Sequence, residues 1–178
     1  MMKYIKYFTS TLLLILTLYI CSLGSYFTTY FFIGFSLFII LGDIFLGEDL
    51  VKQKYSYPFF INLPIYLNFP LLLILITMVI FIFGINSPVW FVSFFSSYLN
   101  IDLIHLKSSF TLSDKISLIA LTSLYIGTMG TVPGHELTHR KKNKFDMFFG
   151  NWLLALSWDC AFAIEHVYGH HKNVGLSS

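Results

Sequence analysis

The chain has 178 residues; 56% are hydrophobic, 11% are charged and the formal net charge is +2. Soluble domains carry about 25% charged residues, so this composition excludes an ordinary water-soluble fold. The charge excess is too small for a nucleic-acid surface, and no nucleic-acid partner is expected.

Residues 7–42, 55–101 and 116–134 contain no Asp, Glu, Lys or Arg. A membrane-crossing helix needs about 20 mostly apolar residues. The sequence therefore predicts an all-α polytopic transmembrane helical bundle, a single membrane domain over 1–178 with about four spans. The first span is placed at 4–23. Lys3 and Lys6 before an apolar stretch have the outline of a signal peptide, but Leu18, Tyr19, Ile20 and Cys21 are bulky where processing needs small residues. The span is read as uncleaved. Gly24 and Ser25 form a tight turn into an antiparallel second span at 26–46.

Phe31, Phe32, Phe35 and Phe38 are read as bulky interior positions of that span. Gly34, Gly42, Gly127 and Gly130 either leave room for an alkyl chain or allow close helix packing. Asp43 sits near the end of the second span. An acid inside a membrane is costly and usually functional, whereas one at the boundary meets water; both readings stand. Residues 47–54 form a charged loop. Pro58, Pro64 and Pro70 mark the approach to a third span at 59–84, and residues 84–88 read as a break.

Trp90, Phe91, Phe94, Phe95 and Tyr98 form an aromatic cluster suited to the membrane interface. Residues 89–99 are read as an interfacial or re-entrant element, with a compressed extra span as the alternative. The fourth span is placed at 116–132, with Ser113 and Asp114 suited to its N-terminus. Cys21 and Cys160 are expected to be small buried hydrophobes. With the N-terminus in the cytoplasm, four spans put Lys3, Lys6, Lys52, Lys54, Arg140, Lys141, Lys142, Lys144 and Lys172 inside and only Lys107 and Lys115 outside, which agrees with the positive-inside tendency. The expected location is a bacterial inner membrane, with the histidine segments cytoplasmic.

Five of the six histidines lie in two short segments. "GHELTHR" places His135 and His139 four residues apart, on one helix face. "EHVYGHH" repeats the spacing with His166 and His170 and adds His171. His105 stands alone and is read as solvated or interfacial. HExxH by itself is the zinc-protease pattern. A catalytic zinc needs only three protein ligands, so five imidazoles point to two metal ions in one site; imidazole itself suits zinc, iron, copper and nickel. Gly169 is expected to let His170 and His171 both turn inward.

"HELTHR" and "EHVYGHHKNVG", with the gap between them, resemble the histidine boxes of the membrane di-iron oxygenases, the alkane hydroxylase and xylene monooxygenase group of the integral-membrane fatty-acid desaturases and hydroxylases. "GDIFLGED", residues 42–49, is similar to an acidic stretch of the alkane hydroxylases. The resemblance implies a non-haem di-iron (Fe) monooxygenase with His135, His139, His166, His170 and His171 as ligands. Dioxygen would oxidise a C–H bond of a hydrophobic substrate, an alkane, aromatic methyl group or acyl chain. Electrons would come from rubredoxin or ferredoxin and its reductase. Glu136 and Glu165 are candidates to orient imidazole N–H groups, with an exposed carboxylate the alternative for Glu136. Arg140 replaces a lysine common in the group. The group also carries further histidine boxes downstream, so the sequence is expected to be an inactive C-terminally truncated fragment.

Rival readings are a fatty-acid desaturase, a zinc-dependent membrane protease with Glu136 as base, and a metal-binding remnant without activity. One geometric expectation is independent of family. Residues 145–164 would measure about 30 Å as a straight helix, roughly the hydrocarbon thickness. Were they to cross, the two histidine segments would lie on opposite faces. They are therefore expected to bend back, with Gly150 and Asn151 as the break and Trp152 and Trp158 near the interface.

Overall fold

The computed structural model describes residues 2–46 and 54–170. His171, and residues 47–49 of the acidic stretch, lie outside them. Every regular element among the described residues is helical. After a helical lead-in (Met2–Ile5, then a 3-10 turn at Lys6–Phe8) come α1 (Thr9–Ser22), α2 (Phe27–Leu46) and α3 (Pro58–Phe83). Next are α4 (Val89–Leu99), α5 (Leu103–Ser109), α6 (Leu112–Thr138), α7 (Lys144–Ala155) and α8 (Ala163–His170).

Three helices, α2, α3 and α6, are long and apolar enough to cross a membrane. The chain is a polytopic membrane protein. The bent pair α4–α5, turned by 105°, counts as a fourth span if it crosses as one unit. This differs from the expected layout in one place. The first apolar helix, Lys6–Ser22, falls below the length of those three, and its first turn, Lys6–Phe8, is 3-10. The element at 89–99, read as interfacial or re-entrant, is one arm of the bent pair, its corner set by Asn100 in the left-handed region (φ 55°).

α2 shows what lipid exposure looks like. Thr28 is its one buried residue, and Phe38, expected inside, is 69% exposed. In water such a surface would be a large apolar patch; in a bilayer it meets acyl chains. The core instead collects Leu14 of α1, Leu72 and Leu75 of α3, and Leu118, Leu121 and Tyr125 of α6, all fully buried. Polar contacts join the helices inside it. Thr11 donates to Asn68 (2.7 Å), Asn68 donates to Ser10 (3.0 Å), and Thr17 and Tyr125 share a hydrogen bond (3.0 Å). Such bonds favour helix association where lipid offers no partner.

α3 runs unbroken through Pro64 and Pro70, as membrane helices can when neighbours satisfy the freed backbone groups. α6 begins earlier than expected. Thr111 is its cap, paired with Asp114 three residues on in a capping box. Asp114 also accepts from the Tyr26 amide (3.0 Å), the Thr29 amide (3.1 Å) and the Thr29 hydroxyl (2.7 Å). One buried carboxylate thus serves the first turns of both α6 and α2, beside the Gly24–Ser25 turn. α6 also ends later than expected, so the first histidine segment belongs to the spanning helix itself. Near that end Ile126–Thr131 is π-helical. Pro133 follows, without an N–H and with a ring that would press on the carbonyl four residues back; the wider turn before it relieves that crowding.

Tyr4 accepts from the amides of Ser56 and Tyr57, both at 3.1 Å, and Arg140 donates to Asn62 (3.3 Å). The N-terminus, the start of α3 and the end of α6 therefore share one end of the bundle, as the basic-residue pattern requires. α4, α5 and the start of α6 lie at the other end.

Candidate metal centre

The site is assembled by the end of α6 and the hairpin after it. Asn143 caps α7, accepting from the amides of Phe145 (3.1 Å) and Asp146 (3.3 Å). α7 then packs against α6 through two glycines. A Cβ on Gly150 would lie 3.0 Å from the Gly134 carbonyl oxygen, and a Cβ on Gly134 would lie 3.0 Å from Leu153. Gly150 and Asn151 were expected to break the helix. They do not, because the missing side chain serves close packing and the helical hydrogen bonds continue. The turn comes later, between Leu156 and Phe162, with Trp158 left-handed (φ 65°). Cys160 is exposed there, contrary to expectation, because it lies in this irregular turn rather than on the packed face of a helix.

α7 has 12 residues, about 18 Å of rise, well short of a crossing. The chain returns, and α8 lies against the end of α6. His135 and His139 present their Nε2 atoms 2.8 Å apart. His166 completes a trio whose ligand atoms all lie within 4.8 Å of one another. Three imidazoles at this spacing can close on one ion at about 2.0–2.1 Å. His135 and His166 are partly buried and His139 is exposed, so a face stays open.

His170 is less involved. Its ring stacks on His166 with centroids 5.6 Å apart, but it is exposed and outside the trio. α8 is π-helical, and this wider helix still stacks residues four apart. Gly169 keeps an ordinary backbone there and makes no special turn. Glu136 and Glu165 are both exposed. Among the described residues no hydrogen bond joins either to an imidazole. Asp43 is exposed on α2 and is not a member of the trio. His105 is exposed in α5.

The sequence reading missed the residues that hold α8 in place. Phe162 stacks on His166 (4.6 Å, 24°) and meets His135 edge-on (4.9 Å). Lys141 donates to the Val167 carbonyl (3.0 Å) and lies 4.8 Å from the Tyr168 ring. A second brace ties the hairpin to α3. Asp146 accepts from the Tyr66 hydroxyl, from Arg140 (3.3 Å) and from Asn143 (2.9 Å). Above it Phe149 packs on Tyr66 and Phe69. The Asn143–Asp146 spacing was a legible capping signal; the Lys141 and Phe162 contacts have no local sequence signature.

No protein-family model, curated protein or solved structure matches this chain. The chemical reading therefore rests on the donor set. Three imidazoles suit iron, zinc, copper or nickel. They provide for one ion with an open position; a second ion needs further ligands.

Proposed function

We propose that the protein is a membrane-bound non-haem iron oxygenase that hydroxylates a C–H group of a hydrophobic substrate. The observation that supports this reading is the convergence of His135, His139 and His166 at one end of a lipid-embedded bundle. Both histidine segments contribute to it, as a shared centre requires. Iron held there would supply dioxygen activation. The chain's own part is to hold ligands, limit water and orient the substrate. α6 and α7 form a rigid floor, Phe162 shields one side of the imidazoles, and the exposed His139 edge leaves a route for electron delivery.

In this proposal the centre is di-iron, with His170 and His171 joining the trio as iron ligands and further ligands needed to complete the second iron. The substrate is an alkane, aromatic methyl or acyl chain, the donor a rubredoxin or ferredoxin with its reductase, and the site faces the cytoplasm of a bacterial inner membrane. The test is metal analysis of the protein purified in nanodiscs, with Mössbauer spectra after growth on iron-57. Dioxygen-dependent formation of octan-1-ol from octane is measured with rubredoxin and reductase present. Iron bound in a way that depends on the trio is the expected result, with octanol formed only where the further ligands that a second iron needs are also supplied. A zinc hydrolase is the second reading, favoured by one observation: three imidazoles with an open position are a catalytic zinc set. Zinc at one per chain, with no octanol, would select it.

A further inference from the structure

Just beyond Thr138, where the spanning helix α6 ends, an open pocket of about 490 Å³ is lined by His139, Arg140, Lys141, Lys142, Asn143 and Asp146. Four of the five residues from 140 to 144 are basic, Arg140, Lys141, Lys142 and Lys144, and all four are exposed. The first three belong to the pocket wall. The acid of that wall, Asp146, is buried and already answered: it accepts from Tyr66, Arg140 and Asn143. The opening therefore carries an excess of positive charge.

These cations keep donors in reserve. Arg140 gives one N–H to Asp146 (3.3 Å) and one to Asn62 (3.3 Å), out of the five that a guanidinium has. Lys141 gives one of its three to the Val167 carbonyl (3.0 Å). Lys142 makes no hydrogen bond or ion pair among the described residues. A guanidinium and two ammonium groups around one opening match an anion with several oxygens, and the planar fork of arginine suits phosphate.

The flank of the pocket decides what carries the phosphate. α7 starts at its edge and sets Phe145, Phe148 and Trp152 three and four residues apart, on one helix face. All three are exposed, and the Phe148 and Trp152 rings lie 6.3 Å apart. α7 runs back along α6, with Gly150 against Gly134, so this bare aromatic face borders acyl chains and headgroups, where tryptophan is favoured. A soluble anion would fill the basic pocket and leave the aromatic face uncovered. A phospholipid uses both. Basic residues clustered next to a spanning helix attract anionic lipid, by about fivefold for each charge.

We infer that the loop between α6 and α7 is a binding site for an anionic phospholipid, its phosphate held by Arg140, Lys141 and Lys142 and its acyl chains laid against Phe148 and Trp152. The site holds whichever metal the histidines take.

The test is native mass spectrometry of the whole chain released from detergent, titrated with dioleoyl-phosphatidylglycerol or dioleoyl-phosphatidylcholine. The first phosphatidylglycerol is expected to bind about tenfold more tightly than the first phosphatidylcholine, and Lys142→Gln should weaken it about fivefold. Lys115→Gln removes the same charge from the first turn of α6, at the far end of the helix, and should leave it unchanged. Phe148→Ser should weaken both lipids. Equal binding of the two lipids would overturn the assignment. So would equal losses in Lys142→Gln and Lys115→Gln, which would reduce the effect to net charge. Phosphatidylglycerol binding unchanged in Phe148→Ser, or its displacement by equimolar sn-glycerol 3-phosphate, would make this a free-phosphate site. Displacement by an equimolar hexaglutamate peptide would make it a docking surface for an acidic protein. Lys142→Gln, an exposed loop change, still decides the matter if Phe148→Ser fails to fold.

Discussion

The two histidine segments reach the same place by different means. His135 and His139 ride the last turns of a spanning helix that packs against α7 with almost no gap at Gly134 and Gly150. His166 rides a π-helix that follows an irregular stretch and is held by a lysine and a phenylalanine. The first half of the site is positioned by backbone against backbone. The second is positioned by side-chain tethers and is the half that an ion would draw into place.

Each half can be broken separately. His135→Ala removes a member of the trio and should lower bound metal more than tenfold by mass-spectrometric metal analysis; His170→Ala, outside the trio, should lower it less. Equal losses would mean that the trio is not the centre. Gly150→Leu forces side-chain atoms into the Gly134 contact. Overpacking typically costs about 1–3 kcal/mol, and here the neighbour is backbone, so thermal melting in detergent should drop to the upper end of that range. Asp114→Ala removes one half of the α6 capping box and the acceptor for the first turn of α2, at about 1 kcal/mol for a typical cap, and should lower the melting temperature more than Asp114→Asn.

Lys141→Met keeps the aliphatic stem and loses the tether to α8. Metal affinity is expected to fall about tenfold with the melting curve of the metal-free protein little changed, and Lys141→Arg should restore part of it. Arg140→Gln should matter least. Its pairing with Asp146 is 40% exposed on the arginine side, and such pairs contribute about 0–1 kcal/mol.

The helical membrane fold was legible because charge-free runs longer than a bilayer is thick leave few alternatives. The return of the chain after α7 was legible too, since two histidine segments joined by a crossing helix cannot share an ion. The location of the turn was not. Glycine signals both flexibility and close approach, and only the neighbour across the gap distinguishes them; at Gly150 that neighbour is Gly134. The first helix, Lys6–Ser22, was read as longer than it is because hydropathy marks an apolar stretch and not where its helix begins. His135 and His139 were visible from their spacing alone. Lys141 and Phe162 were not, because their partners become neighbours only after the chain has doubled back.

The doubly used carboxylate of Asp114 has a consequence for biogenesis. The segment containing α2 leaves the ribosome some 85 residues before residue 114 does. Until then the amides of Tyr26 and Thr29 must find water or lipid headgroups instead. The early hairpin is thus held in a provisional state, and the arrival of α6 seals the turn made first.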